Sequence, residues 1–285
     1  MPAMEIKAAD VSKLRQMSGA GLMECKRALV ETNGDMDAAM RLLREQGIVK
    51  SAKRADRTAS EGRVESWISD NNKEGLLIAV KCETDFVARN EEFVKLSKAI
   101  LETYKKNPSW TSAEQFPIDT VKEFSAKSGE KIEFNDVARL TTQNGVVAAY
   151  VHHNSKLGVL VQIDANKDAS SNQSVKDLAK ALALQVAGGN PQYVSRNDVP
   201  KDIIEREKDI AKKQMEGQKK PPEILEKIAT GKLEQFYKDQ CLVDQVSIQD
   251  PAGQTKIQDL VNGVAKKEGL ELKVARFSRF LVGAS

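Results

Sequence analysis

Gly75-Leu76-Leu77-Ile78-Ala79-Val80 is an unbroken apolar run that leads into Lys81-Cys82-Glu83-Thr84-Asp85-Phe86-Val87-Ala88-Arg89-Asn90. A short apolar run bounded by turn residues reads as a buried strand. A pattern of helical period follows it from Asn90 to about Lys106, carrying Phe93, Leu96, Ile100 and Tyr104. The stretch between them is therefore a strand-to-helix corner, a place where a rigid scaffold commonly holds projecting side chains. Two readings of the corner stay open. In one, Thr84 or Asp85 caps the helix and Phe86 tucks beneath the turn. In the other, Phe86 is an exposed aromatic anchor for a pocket on another protein.

Outward from this corner the chain repeats a plan. Arg63 to Ser69, the turn Asp70 to Glu74 and the strand Gly75 to Cys82 make one hairpin ahead of the helix. Gly145 to His153, the turn Asn154-Ser155-Lys156 and Leu157 to Asp164 make a second, followed by a helix over Gln173 to Ala187 with Val175, Leu178, Leu182 and Val186 on one face. Gly158-Val159-Leu160-Val161-Gln162-Ile163 superposes on Gly75 to Val80 with hydrophobicity matched at most positions. A duplicated strand-strand-helix unit predicts an α+β core of two related subdomains. Pro108 to Gly129 reads as loop with short helices, and Lys131 to Phe134 with Val137 to Thr142 as a further strand.

Three short helices precede the core. Asp10 or Ser12 is the expected cap of the first, which stops at Ser18-Gly19-Ala20-Gly21. The second carries Leu22, Cys25, Ala28 and Leu29 and ends at Asn33-Gly34, and the third is capped by Asp35 and closed by Gly47. Residues Lys50 to Arg63 are basic and alanine-rich with no apolar period, which reads as a connector. Residues 200–240 break the plan: two helical segments, Lys201 to Glu216 and Pro222 to Tyr237, flank prolines and carry thin apolar stripes, Ile203, Ile204, Ile210 and Met215 on the first. That is the pattern of an antiparallel helical hairpin that leans on the core or on a second chain. Core grammar then returns, with Leu242 to Ile248 as a strand, Thr255 to Lys267 as a helix and Leu270 to Leu281 as a closing strand. The expected organisation is residues 1–50 as a three-helix unit, 51–62 as linker, 63–142 as the first core subdomain, 143–199 with 241–285 as the second, and 200–240 as the inserted hairpin.

Composition narrows the function classes. The net charge of +3 over 285 residues does not support binding to nucleic acid or a membrane surface through bulk charge. No run approaches the roughly 20 apolar residues that span a bilayer, and Met1 to Lys7 lacks a signal-peptide core, so a cytoplasmic protein is expected. Cys25, Cys82 and Cys241 are scattered, which suits free thiols. His152 and His153 are adjacent on a strand, where neighbouring side chains point to opposite faces, so no two-histidine metal site is expected. No phosphate loop, dinucleotide fingerprint, nucleophile elbow or zinc motif is present. These readings point to a non-enzymatic protein with no cofactor.

The three-helix unit resembles the ubiquitin-associated module, with Met17-Ser18-Gly19-Ala20-Gly21-Leu22-Met23 in the place of its binding loop. Over a longer span, Leu14 to Leu29, Thr84-Asp85-Phe86-Val87-Ala88-Arg89-Asn90, and Tyr150-Val151-His152-His153 with Gly158 to Val161 resemble, in the same order, bacterial elongation factor Ts. The resemblance implies a guanine-nucleotide exchange factor that binds the GTPase elongation factor Tu in its GDP form and disturbs its magnesium and phosphate site. It assigns Phe86 as a wedge between helices of the GTPase, Asp85 as a polar contact, and Thr84 and Val87 as setting the loop. Met17, Gly19, Ala20, Gly21, Leu22, Met23 and His152 become further partner contacts, and the hairpin an element of homodimerisation. Many members of that family continue into a terminal helix beyond the last strand, whereas this chain ends at Val282-Gly283-Ala284-Ser285, so that contact is not carried over. Two other classes remain: a passive binding module using Met17 to Met23, and an RNA-binding protein using the basic run Lys50 to Arg63.

Overall fold

The computed structural model describes residues 6–46, 54, 56–214 and 222–283. Its first three helices are α1 (Ala8–Ser18), α2 (Leu22–Glu31) and α3 (Met36–Glu45). Helix α1 begins earlier than either expected cap: Lys7 is at the N-cap with no side-chain bond, and Asp10 lies in the first turn, where a carboxylate favours the positive end of the helix. Gly19, at φ 70°, closes α1 in the left-handed conformation that a Cβ disfavours. Asp35 caps α3 as expected, accepting from the amides of Asp37 at 2.9 Å and Ala38 at 3.0 Å. Leu14, Cys25, Leu29 and Leu43 fill the space between the three helices. Gly47 lies outside the described residues.

The core is two three-stranded antiparallel sheets. One has the order β1 (Glu61–Ile68), β2 (Glu74–Cys82), β3 (Glu133–Thr141), and the other β4 (Val146–Val151), β5 (Leu157–Ala165), β6 (Leu272–Leu281). Strand β1 starts at Glu61, so Glu61 and Gly62, expected at the end of the linker, are sheet. Helix α4 (Asp85–Arg89) and helix α5 (Glu91–Lys106) follow β2, and α6 (Ile118–Ser128) precedes β3. In the second half, α7 (Gln173–Gly189) follows β5 and α10 (Ile257–Glu268) precedes β6.

The central strands explain their unbroken apolar sequences, because each is covered on both faces. Leu76, Ile78 and Val80 meet Phe93, Ile100 and Tyr104 of α5 and Val121 of α6. The alternate residues Leu77 and Ala79 meet Val147 and Leu160 of the other sheet. Val159, Val161 and Ile163 in turn meet Val175, Leu182 and Val186 of α7 and Val261 of α10. The result is helices, sheet, sheet, helices in four layers. Each fully buried Leu, Ile or Val of these strands contributes about 1.5–3 kcal/mol of transfer free energy.

The halves also share their irregularities. The β2–β3 ladder slips between Ala79 and Val80, and the β5–β6 ladder slips between Gln162 and Ile163, which are the same two positions when Gly75 is laid on Gly158. The repeated unit is thus longer than the strand-strand-helix segment legible in the sequence. It includes a second helix and a third strand, and the α+β class expected from the sequence is the class observed.

Between α7 and α10 lie α8 (Lys201–Lys213) and α9 (Pro222–Gln240), which pack on each other. Met215 and the connecting prolines' neighbours, residues 215–221, lie outside the described residues. Arg196 fastens α9 to the core. Its guanidinium donates to Glu234 at 2.8 and 2.9 Å and to Asp244 at 2.9 Å, and lies 4.7 Å over the ring of Tyr237. Both carboxylates hold the Arg196 proton more tightly than usual, Asp244 more than Glu234.

One expected strand is absent. Leu242 to Asp244 is a 3-10 turn, and the following residues make only an isolated bridge, Val246 to Lys256. Side chains occupy the place of a ladder there: Gln185 Nε2 donates to the Val246 carbonyl at 3.2 Å, and the Ile248 amide donates to Gln185 Oε1 at 2.8 Å.

Candidate protein-interaction site

The corner after β2 becomes the short helix α4, and Thr84 caps it by accepting from the Val87 amide at 3.3 Å. Asn90 ends α4 and caps α5 through the Glu92 amide at 2.8 Å. Of the two side chains considered for the cap, Thr84 takes it. Asp85 instead pairs with Arg89 one turn on, at 3.1 Å. Ala88 is buried and Val87 packs against the α5 side of the sheet, which leaves Phe86 pointing the other way, 85% exposed. A free aromatic ring on a turn anchored by its neighbours has the form of an interaction anchor.

The anchoring is reciprocal and long-range. Glu130, just after α6, accepts from the Glu83 and Thr84 amides at 3.1 Å each and from the Thr84 hydroxyl at 2.6 Å. Glu83 answers by accepting from the Lys131 amide at 2.6 Å. Arg57 lies across the junction, donating to Glu83 at 3.2 Å and to the Gly129 carbonyl at 3.3 Å. Cys82 donates to the Thr84 carbonyl at 3.2 Å, and burial, helped by the Glu130 and Glu61 carboxylates, pushes its thiol up to about 12. A buried thiol held neutral in this way packs as a small hydrophobe and is a poor nucleophile.

The turn after β4 reaches the same end of the core. The Val64 amide donates to the Ser155 carbonyl at 2.6 Å, and Lys156 pairs with Glu61 at 2.5 Å. A cleft of about 310 Å³ runs between Asp85, Ala88 and Arg89 of α4 and Asn154 to Lys156 of the turn. His152, half-buried, and His153 lie just past the end of β4 rather than on the strand, so their side chains do not point to opposite faces as expected: the ring centroids are 4.1 Å apart, and His152 Nδ1 is 2.8 Å from the Tyr150 hydroxyl. The structure therefore brings the turn bearing His152 to the cleft beside α4.

Met17, Leu22 and Met23 form a separate exposed group on the three-helix unit, at 52%, 51% and 72% exposure. Gly19 and Gly21 are exposed between them. Ala20 differs from the partner contact expected of it: at 2% exposure the residue belongs to the bundle core, its amide donates to the Ser18 hydroxyl at 3.1 Å and its carbonyl accepts from the Cys25 thiol at 3.8 Å, so it presents nothing to a partner. Among the described residues no group of three or more His, Cys, Asp or Glu side chains could hold a metal ion, and no described helix is long and apolar enough to cross a membrane. Cys25, Cys82 and Cys241 are free and buried.

Glu130 was not legible in the sequence. Its partners lie 46 and 47 residues away, and a glutamate after a helix-ending glycine looks locally like any solvated charge.

Comparison with known proteins gives concordant matches. A family model described as "Elongation factor TS" matches residues 83–284, beginning at the Glu83 corner. The chain is 38% identical to Elongation factor Ts of Prosthecochloris aestuarii across 98% of this chain and 99% of that protein. It is 40% identical to Elongation factor Ts of Symbiobacterium thermophilum across 98% and 92%, and 38% identical to that of Nostoc sp. across 98% and 93%.

Proposed function

Because the chain belongs to the elongation factor Ts family, we propose that it is a guanine-nucleotide exchange factor that binds elongation factor Tu in its GDP form and speeds release of GDP during translation elongation. The observation that carries this reading is Phe86, an aromatic ring 85% exposed on a capped and cross-braced turn. A bound magnesium ion links nucleotide phosphates to protein oxygens, so a partner that shifts those ligands weakens nucleotide binding without covalent chemistry. Phe86 enters between helices of the GTPase, Asp85 supplies a polar contact, and Thr84 and Val87 hold the turn. Release accelerates because the factor binds the nucleotide-poor form better than the loaded one.

In the same reading residues 1–50, through Met17, Gly19, Gly21, Leu22 and Met23, add a second grip, and His152 adds a contact from the other half of the core. Residues 63–142 and 143–199 with 241–285 act as the two core units, and 200–240 support a homodimer. The protein works in the cytoplasm and needs neither a cofactor nor nucleic acid. The test is release of fluorescently labelled GDP from elongation factor Tu with sub-stoichiometric amounts of this chain. Catalytic acceleration is expected, and release at the spontaneous rate would overturn the function.

A further inference from the structure

We propose that Glu130 is a positioning residue for nucleotide exchange: its carboxylate, reaching across from the end of α6, fixes the turn that presents Phe86. The proposal rests on the exchange-factor reading above. A helix as short as α4, Asp85 to Arg89, has no stability of its own in water, so its geometry must come from what holds its ends. At the N-terminal end that hold is Glu130. One oxygen takes the Glu83 and Thr84 amides, both at 3.1 Å, and the other takes the Thr84 hydroxyl at 2.6 Å. The same hydroxyl oxygen accepts the Val87 amide at 3.3 Å, so Glu130, Thr84 and the first turn of α4 form one continuous chain of hydrogen bonds.

Glu130 is itself held. Its carbonyl accepts from the Ser125 hydroxyl at 2.6 Å and its amide donates to the Ser128 hydroxyl at 3.3 Å, both on α6. The return bond from the Lys131 amide to Glu83, at 2.6 Å, closes a clasp between the β2–α4 corner and the α6–β3 corner. Glu130 is half-buried while Phe86 stands 85% exposed, so the first can act on a partner through the second without touching it. Presenting the ring already in place spares the ordering cost that a loose turn would incur on binding.

The experiment is stopped-flow release of labelled GDP from elongation factor Tu by the full chain and its variants. Glu130→Ala leaves two amides and a hydroxyl without their acceptor, and is expected to slow release about tenfold, about the worth of one hydrogen bond to a charged group. Glu130→Gln keeps an oxygen for the two amides, and its NH2 can donate to the Thr84 oxygen. It is expected to recover release to within about threefold of the parent, about the worth of one neutral hydrogen bond. In a Phe86→Ala background, Glu130→Ala is expected to add nothing further.

A Glu130→Gln variant as slow as Glu130→Ala would mean that the charge acts directly, and would overturn positioning. So would an equal loss from Glu130→Ala with and without Phe86. Should Glu130→Ala not fold, Thr84→Val removes only the hydroxyl link, with an expected slowing of about threefold that vanishes without Phe86. If the parent chain fails to accelerate release at all, the function falls, and the clasp is then judged by amide hydrogen exchange. Exchange at Asp85 to Ala88 is expected to quicken in Glu130→Ala or Thr84→Val while the β2 amides stay protected, and unchanged exchange there would overturn the clasp.

Discussion

Gly75 and Gly158 occupy the same place in the two halves of the core, and each lies where the facing sheet leaves no room for a side chain. A Cβ on Gly75 would come within 2.7 Å of Val147, and a Cβ on Gly158 within 2.3 Å of Val64 and 2.8 Å of Leu77. The two glycines set how closely the sheets approach. Gly158→Ala should therefore destabilise the core by about 1–3 kcal/mol through overpacking. Denaturant unfolding measures this, and a midpoint equal to the parent's would show that the sheets separate freely at that point.

Phe86→Ala removes a ring that packs against little of its own chain. The unfolding midpoint should stay within experimental error of the parent's. GDP release from elongation factor Tu should slow by about 30-fold, the equivalent of losing a central aromatic anchor worth about 2 kcal/mol. Loss of stability with unchanged exchange would reverse the assignment of Phe86 from partner to core.

Met23, 72% exposed on the three-helix unit, tests the proposed second grip separately from Phe86. Met23→Ser should weaken association with the GTPase by about 1 kcal/mol, roughly fivefold, with the rate at saturating factor nearly unchanged. Titration of the exchange rate against factor concentration separates the two quantities. A fall in the saturated rate alone would place Met23 in the release step instead.

Cys82 makes the alkaline limb of stability testable. The folded chain holds its thiol proton up to about 12, against an ordinary value of 9.0, chiefly because the group is buried and then because Glu130 and Glu61 lie near. Between those values the unfolded chain has released a proton that the folded chain keeps. The stabilisation is thus complete below about 9 and is lost as pH rises towards 12. Cys241 shifts in the same direction, to about 11, so Cys82→Ala should flatten the decline without abolishing it. Native Cys82 should also resist alkylation at pH 8, and rapid labelling of the folded chain would contradict the burial argument.

Arg196 should control the seating of α9. Arg196→Lys keeps the charge but cannot form the paired bonds to Glu234 together with those to Asp244, nor stack flat on Tyr237. Amide exchange over residues 230–240 should quicken in Arg196→Lys while the α7 amides remain protected. Equal protection in both chains would show that the helix pair seats without this clamp.

Much of this architecture was legible because burial on both faces leaves an unmistakable mark. Gly75 to Val80 and Gly158 to Ile163 are apolar at nearly every position, a pattern that half-exposed strands cannot show. The Thr84 cap and the exposed Phe86 were each one of two readings that the local residues allow, and for Phe86 the family resemblance, more than the local pattern, favours exposure. What escaped depended on distance or on substitutes for backbone bonds. Leu242 to Ile248 alternates like a strand, yet Gln185 and its neighbours take up the bonds a partner strand would have filled. Lys7 caps α1 with its backbone alone, which no residue type advertises. Glu130 bears on the candidate site, but only the folded chain brings it to Thr84.

The facing sheets have a further consequence for how the chain assembles. Leu77, Ala79 and Leu140 on one side and Val147 and Leu160 on the other would be bare apolar surface on either half alone. Such a half in isolation would behave as one subunit of an obligate dimer, folding only at concentrations where it finds a mate. The few residues from Thr142 to Gly145 that join β3 to β4 turn that encounter into an internal one, at a local concentration in the millimolar range typical of short tethers. Cutting the chain there should therefore make the stability of the core depend on protein concentration.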